Sequence, residues 1–215
     1  MCIRDSTTMV EDTPDSWGLM WDENYKGKIL NFNNPRDAFG TAMYKLGIDV
    51  NTSDTADWDA AFEALKAQKP LVQSYVMDEI FNKMKGASAA IAPYYAGDFL
   101  TMYDDNNDLA FYYPKEGTNV WIDSWVIPKN APNKENAEKF IDFMCREDVA
   151  LKNFEYITYS TPNDAARALI EDEDIKNSKI AFPDLSQYNN LETFHYLGAD
   201  GDALYNELWK EVKAE

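Results

Sequence analysis

Apolar residues recur with helical spacing along much of the chain. Asn34 provides a helix cap and Pro35 suits the first helical position, and apolar residues then return every three or four positions until Gly47. This pattern predicts a helix over residues 35–46. The same spacing predicts further helices over about residues 55–69, 80–85, 97–103, 137–144, 148–154, 165–170 and 202–213.

Short apolar runs between these helices are typical of buried strands. They cover residues 28–32, 87–92 and 109–113, and a fourth segment, residues 120–127, alternates apolar and polar positions. Strands and helices therefore follow one another in an order that indicates an α/β fold.

The alternating segment carries an unusual acid. Alternation over residues 120–127 places Trp121, Asp123 and Trp125 on one face of a predicted strand. A carboxylate between two indole rings is costly to keep ionised unless a cation or a hydrogen-bond donor meets it. A backbone amide or a nearby Lys or Arg could fill that role. A ligand ammonium flanked by ring faces is the alternative.

Composition and charge limit the possible functions. The 215 residues are 45% hydrophobic and 14% aromatic, which is enough to bury a substantial core. A net charge of −18 argues against nucleic acid as a partner, because little is available to neutralise phosphates, and it permits a cationic ligand. No apolar run reaches the roughly 18 residues of a membrane-spanning helix.

The first residues do not fit a secretory signal, since no basic segment is followed by an apolar stretch. Residues 1–8 resemble a translated adapter scar, and we interpret them as a non-native leader without assigning them secondary structure. The chain would then begin inside a longer protein. Cys2 lies in this leader and Cys145 stands alone, so no disulfide framework is expected.

The sequence offers little to support catalysis. His195 is the single histidine and lacks a neighbouring nucleophile or metal-ligand spacing, and no glycine-rich phosphate loop or hydrolase motif occurs. We therefore expect no enzyme activity, no cofactor and no metal.

Aromatic and acidic residues cluster instead where predicted strands end. Asp37 follows the strand over residues 28–32, Tyr94 follows the strand over residues 87–92, and Tyr159 begins a loop. In open α/β sheets, ligands bind beyond the carboxyl ends of the strands. These side chains, together with those of the alternating segment, are expected to converge.

Several stretches carry a family resemblance. Residues 113–117 (YPKEG), 121–128 (WIDSWVIP) and 159–163 (YSTPN), with a helix between the last two, resemble the spermidine/putrescine-binding proteins of polyamine ABC importers. The likeness reaches back to residues 25–27 and forward to residues 182–184. It covers nearly everything after the first dozen residues.

The resemblance implies a type II periplasmic-binding-protein fold that holds a cationic ligand between two lobes. In that family, acids bind the amines and aromatic rings enclose the methylene chain. Asp123 matches the aspartate that binds an amine, and Trp121 matches a ring of the aromatic box. Tyr94 stands where the family often has tryptophan, and Tyr159 where it has tyrosine.

At two further positions of the proposed site, the residue differs from the one that is common in the family. Asp37 stands at an acidic position that the family commonly fills with glutamate. Asn34 stands where some members carry a further aspartate, so one anionic contact is missing. A helix N-terminus repels a cation, and the acid at Asp37 would compensate for this. The departure at Asn34 and the tyrosine at position 94 leave the preferred polyamine open.

The resemblance also implies how the chain is divided. Residues 9–122 and 170–215 would form a nearly complete second, C-terminal lobe, and residues 123–169 would be a helical remnant of a largely absent first lobe. The apolar surface around residues 123–169 is then expected to be exposed.

The sequence thus predicts a solute-binding subunit of an ABC importer that captures putrescine or spermidine. It would be a monomer that works with membrane permease subunits, in the periplasm or on the outer face of the cytoplasmic membrane, with its signal sequence absent from this chain. A related binding protein for a sugar, a cationic amino-acid-like solute or an iron complex is the alternative. A glycoside hydrolase belongs to a different class and would use its acids catalytically.

Overall fold

The fold combines one five-stranded sheet with helices. A computed structural model describes residues 2–10 and 14–214. Its strands are β1 (Cys2–Ser6), β2 (Ile29–Phe32), β3 (Val72–Val76), β4 (Ile91–Tyr94), β5 (Leu109–Tyr112), β6 (Thr118–Asn119) and β7 (Leu191–Glu192). Its α-helices are α1 (Pro35–Leu46), α2 (Thr55–Gln68), α3 (Ile80–Lys85), α4 (Ala96–Asp105), α5 (Lys134–Met144), α6 (Glu147–Ile157), α7 (Asp164–Ala168), α8 (Glu173–Lys176) and α9 (Gly198–Ala214). Short 3-10 helices cover Trp17–Trp21, Glu23–Tyr25, Lys69–Leu71 and Leu185–Gln187.

The main sheet is parallel except for one strand. Its order is β3-β2-β4-β1-β5; β2 pairs in parallel with β3 and β4, and β1 runs antiparallel to both β4 and β5. Strands β2, β3, β4 and β5 therefore point the same way, and their carboxyl ends meet at one edge. Strands β6 and β7 form a separate parallel pair.

Helix α1 forms where the sequence predicts it. The side chain of Asn34 accepts a hydrogen bond from the Arg36 amide at 3.0 Å, Pro35 opens the first turn, and Gly47 adopts the left-handed conformation that ends the helix. Inside, Phe39 packs against Trp58 of α2 and Trp209 of α9, with ring centroids 5.3 and 6.5 Å apart. This aromatic contact holds the three helices together over the core.

The predicted α/β fold is confirmed, and most helices lie within a few residues of their predicted bounds. The strand predicted over residues 87–92 is shifted to β4. Strand β3 was not predicted, although all of it lies beside β2 in the sheet. Its five residues alternate too little between apolar and polar to signal a strand.

The leader prediction assigned no structure to residues 1–8, and the fold places β1 there. Residues 2–6 pair with β4 on one side and with β5 on the other, and Ser6 is buried. Met1 lies outside the described residues. Whether this segment is native stays a prediction, but β1 fills the gap between two strands that would otherwise be unpaired on facing edges.

The prediction of a strand over residues 120–127 is wrong. The ladder with β7 ends where the Val120 amide donates to the Glu192 carbonyl at 2.9 Å, and residues 121–128 have no regular structure. No described strand lies beside them, so the alternation has no sheet to join. Trp125, which the alternation placed on one strand face with Trp121 and Asp123, is 63% exposed, and among the described rings it contacts Phe140, at 5.3 Å between centroids.

Residues 123–169 stand apart from the main core. The large apolar cluster around the sheet includes none of their side chains, and helix α5 buries no residue. Helices α6 and α7 bury only a few small or aromatic side chains of their own. The expected exposure of apolar surface in this segment is confirmed. The exposed apolar side chains are those of Trp125, Val126, Phe140, Phe143, Tyr156, Ile157 and Leu169.

Candidate functional site

The carboxyl ends of β2 and β4 bring two predicted elements together. Strand β2 leads into α1, whose first turn carries Asp37, and β4 leads into Tyr95 and α4. The Tyr95 hydroxyl donates a hydrogen bond to Asp37 Oδ2 at 2.9 Å. The two strand ends are therefore joined by a tyrosine–carboxylate pair, as the strand-end argument predicts.

A row of aromatic rings extends from this pair. Tyr95 lies 4.8 Å from Tyr94 and 5.1 Å from Trp121 between ring centroids, and Trp121 lies 6.1 Å from Tyr159. The contacts of Trp121 with Tyr95 and with Tyr159 are edge-to-face. In such an arrangement the face of one ring lies against the edge of the next. The side chain of Trp121 is 37% exposed, which leaves part of the row open to solvent.

Each polar group in this row is bonded to a different acid. The Tyr159 hydroxyl donates to Asp98 Oδ2 at 2.8 Å, in addition to the Tyr95–Asp37 bond. The indole Nε1 of Trp121 donates to Asp123 Oδ2 at 3.4 Å. The Tyr94 hydroxyl makes a fourth, long contact to Asp78 at 3.4 Å.

Burial changes the acid–base behaviour of these groups. Desolvation raises the pKa of the Asp37 carboxyl, whose residue is only 5% exposed, and the Tyr95 hydrogen bond opposes that rise. Burial also raises the pKa of Tyr95 and of Tyr159, and the nearby carboxylates add to it. Both hydroxyls therefore stay protonated and act as donors.

Burial raises the pKa of the Asp37 carboxyl and the nearby charge of Arg36 opposes that rise, but no described residue forms an ion pair with the carboxyl. The guanidinium of Arg36 bonds instead to the Val50 carbonyl at 3.0 Å. A carboxylate held in this way is stabilised when a cation comes within a few ångströms. The aromatic faces next to it also attract cations.

Tyr159 reaches the row through a tight junction with α4. A Cβ added at Gly97 would lie 2.6 Å from the Tyr159 ring at Cγ, so only glycine leaves room for the ring. Thr158, in the left-handed conformation with φ of 60°, donates its hydroxyl to the Gly97 carbonyl at 2.6 Å. This junction joins the end of α6 to the start of α4.

Five of the six predicted residues lie in or beside the row. Trp121, Asp123, Asp37 and Tyr159 meet as described, and Tyr94 lies behind Tyr95, 2% exposed and stacked 5.9 Å from Phe32. Asn34 uses its side chain as the cap of α1, and no described contact links it to the rings. Whether any of the six touches a ligand stays a prediction.

The prediction missed Tyr95, Asp98 and Asp78. Tyr95 follows β4 as the residue before α4, and its ring contacts Trp121, although the rings of Tyr94 and Tyr95 both pack on Phe32. Which of the two tyrosines meets Trp121 was not readable in the sequence, because it depends on where the segment after β6 lies. The pairing of Asp98 with Tyr159 was not readable either, because it depends on where α6 ends.

Comparison with known proteins identifies the family. A family model described as "Bacterial extracellular solute-binding protein" matches residues 3–187. The chain belongs to this family. The match begins within β1, so residues of the predicted leader fall inside the family's pattern.

Several relatives of this chain are named as polyamine-binding proteins. The chain is 36% identical over 202 residues to the spermidine/putrescine-binding periplasmic protein of Salmonella typhimurium and 35% identical over 199 residues to that of Escherichia coli, covering 94% and 93% of this chain and 58% and 57% of those proteins. It is 29% identical over 213 residues to a putrescine/cadaverine-binding protein of Pseudomonas aeruginosa, covering 93% of this chain and 59% of that protein. The resemblance predicted from the sequence is confirmed.

Solved structures of this family agree in fold. A putative spermidine/putrescine ABC transporter protein from Listeria monocytogenes superposes with a TM-score of 0.92 at 35% identity, over 99% of this chain and 66% of that one. A spermidine/putrescine substrate-binding protein from Streptococcus pneumoniae gives 0.87 at 31% identity, with 99% and 66% covered. The predicted type II periplasmic-binding fold is confirmed, and the chain spans less than two thirds of the length of these relatives.

The described residues contain neither a membrane-spanning helix nor a cluster of metal ligands. Along residues 2–10 and 14–214, no helix is both long and apolar enough to cross a bilayer. Within the same ranges, no group of three metal-binding side chains could hold a metal ion. The arrangement of rings and acids is suited to holding an organic cation.

Proposed function

We propose that this chain is the solute-binding subunit of an ABC importer, or a large part of it, and that it captures polyamines such as putrescine and spermidine. One observation carries the proposal. The rings of Tyr95, Trp121 and Tyr159 form a row, and each donates its polar hydrogen to a separate carboxylate.

The chemistry of a polyamine fits this row. Its methylene chain is apolar and can lie on ring faces, while its ammonium groups need acids at intervals along the chain. Asp37 accepts from Tyr95 and Asp98 accepts from Tyr159, so two separate carboxylates lie next to rings that contact Trp121. Two carboxylates favour a molecule with at least two positive charges.

The names and fold of the relatives support the partners and the location. Proteins with these names are periplasmic and transporter-linked, so we infer membrane permease subunits as partners and an extracytoplasmic site of action. We infer no catalytic step, no nucleic-acid partner and a monomeric subunit.

The division into lobes remains part of the proposal. We propose that residues 9–122 and 170–215 form the second lobe, and that residues 123–169 belong to a first lobe that is largely absent here. The separation of residues 123–169 from the main core supports this division. The reading frame upstream of Met1 should encode a signal sequence and the remaining first lobe; a frame that encodes neither would contradict the truncation.

Calorimetric titration tests the ligand. Putrescine and spermidine should bind to this chain or, measured in parallel, to the full-length protein from the complete reading frame, whereas butane-1,4-diol, which lacks the charges, should not. Binding of a sugar, of a cationic amino acid or of a ferric chelate in their place would favour the related transport functions. Turnover of an aryl glycoside would favour a hydrolase.

Variants of the acids test the site. Asp123→Asn removes one charge beside Trp121 and should weaken polyamine binding at least about 30-fold, since loss of one partner of a close charge pair costs about 2 kcal/mol or more. Asp59→Asn makes the same chemical change on the exposed face of α2 and should leave affinity unchanged. Equal affinity of Asp123→Asn and wild type would contradict the proposed site.

A further inference from the structure

The side chain of Asn51 connects three segments that are distant in sequence. Its Nδ2 donates to the Thr193 carbonyl at 2.9 Å, and its Oδ1 accepts from the His195 amide at 2.8 Å. A side-chain amide that pairs with the carbonyl of one residue and the amide of the residue two positions later imitates a neighbouring strand. Oδ1 also accepts from the Arg36 guanidinium at 3.3 Å.

The segment held in this way continues directly from β7. Strand β7 pairs with β6, and the ladder ends at the bond from the Val120 amide to the Glu192 carbonyl. The next residue after Val120 is Trp121, which begins the irregular segment carrying Asp123. The position of that segment therefore depends on β7, because no other described strand holds it.

Through Arg36, Asn51 is also connected to the helical turn that carries the buried Asp37. The Arg36 guanidinium lies 4.7 Å above the ring of Phe194 and donates to the Val50 carbonyl at 3.0 Å. Arg36 and Asp37 are consecutive in the first turn of α1. Asn51 is thus bonded both to the segment that directly follows β7 and to the helical turn that carries Asp37.

We propose that Asn51 is a positioning residue for the cation site: it holds the β6–β7 pair, and with it Trp121 and Asp123, in a fixed place relative to Asp37. The proposal rests on the proposed polyamine-binding function for its meaning. The contacts of Asn51 themselves do not depend on any ligand.

Gln73 offers a matched control. Its exposed side-chain amide also joins two distant backbone segments, since Nε2 donates to the Ser88 carbonyl at 2.7 Å and to the Gly27 carbonyl at 3.3 Å. It lies at the amino-terminal side of β3, away from the strand ends that carry the site. Asn51→Ala and Gln73→Ala thus remove comparable bonds in different places.

Hydrogen exchange of the ligand-free protein is the first measurement. Asn51→Ala should speed exchange of the Thr118 and Val120 amides about tenfold. The loss of two exposed hydrogen bonds lowers the free energy of local opening by about 1.4 kcal/mol, which corresponds to a tenfold faster exchange. Gln73→Ala should leave these two amides unchanged even where it lowers the melting temperature equally. Equal behaviour of the two variants would overturn the proposal.

Polyamine affinity is the second measurement. In a wild-type protein that binds spermidine, Asn51→Ala should weaken binding about tenfold while Gln73→Ala does not. Faster exchange with unchanged affinity would overturn the positioning role and leave Asn51 only structural. If the wild type binds no polyamine, the proposed function fails, and the exchange data alone decide whether Asn51 holds the strand pair.

A second substitution covers the case in which Asn51→Ala does not fold. Asn51→Asp keeps an acceptor for His195 and Arg36 and loses only the donor to Thr193, so it should show a smaller effect in the same direction. Failure of both variants to fold would overturn the proposal, since Asn51 would then determine the fold rather than position a site.

Discussion

A single residue, Gly97, decides how closely Tyr159, in the segment after α6, approaches helix α4. Gly97 lies in the first turn of α4, and the ring of Tyr159 occupies the space that any larger side chain would need. The same turn supplies Asp98, which accepts the Tyr159 hydroxyl. One missing side chain therefore allows an aromatic ring, its acid partner and a backbone carbonyl to meet.

We expect Gly97→Ala to displace Tyr159. The new Cβ would overlap the ring, so the ring must move away from Asp98 and Trp121, at a cost of about 1–3 kcal/mol in the free energy of unfolding. Urea denaturation and spermidine titration measure the two consequences.

Gly18→Ala is the control for this substitution. Its Cβ would approach Ser16 Oγ, at 3.2 Å, and no ring, so stability should fall less than in Gly97→Ala and polyamine affinity should not change. Full retention of stability and affinity in Gly97→Ala would show that the ring is not confined by α4.

At the scale of elements, the antiparallel strand β1 is a feature that the sequence did not predict. Strand β1 runs between β4 and β5, and its last residue, Ser6, is 1% exposed. Without it, the facing edges of β4 and β5 would each lose a row of backbone hydrogen bonds. The first residues of the chain are therefore required for the sheet as it stands.

Deletion of residues 1–8 tests this requirement. We expect the shortened chain to lose its cooperative thermal transition, because the sheet would be split into β3-β2-β4 and an isolated β5. Circular dichroism during heating measures the transition.

Thr7→Ala serves as the control, since it removes one exposed side-chain bond to the Asp108 carbonyl and leaves β1 in place. An unchanged melting curve for the deletion would favour the interpretation of residues 1–8 as a non-native leader outside the fold.

At the scale of the whole molecule, one side carries apolar groups that nothing in the described chain covers. Trp125 packs on Phe140, yet both remain about half exposed or more, and Val126 beside them is 80% exposed. Contiguous exposed apolar surface of this kind promotes association. The exposed surface therefore favours association, whereas a monomer is expected from the sequence.

We expect this chain to self-associate more as its concentration rises, and the double variant Trp125→Glu/Phe140→Glu to reduce the association. The added charges would make burial of this surface between copies unfavourable. Sedimentation velocity over a range of concentrations measures the effect.

Tyr196→Glu places the same charge on an exposed aromatic side chain elsewhere, 77% exposed, and should leave association as in the wild type. Identical association of all three proteins would show that the Trp125–Phe140 surface is not responsible.

Much of the fold followed from local pattern. Helix α1 has its cap, its proline and its terminal glycine in the sequence, and its apolar spacing needs no partner to be recognised. The apolar spacing of α2 and α9 is likewise recognisable in the sequence. Strand β1 and the segment after Val120 were misjudged because strand formation depends on a neighbouring strand, which the sequence of one segment does not reveal.

The sequence by itself determined which chemical groups are available: acids and aromatic rings at strand ends, and the family they resemble. Only the tertiary structure decided that Tyr95 rather than Tyr94 meets Trp121, that Asp98 pairs with Tyr159, and that Asn51 ties the segment after β7 to α1. The physical reason is distance along the chain. Local pattern follows from neighbouring residues, whereas these contacts join residues tens to more than a hundred positions apart and exist only when the elements are packed.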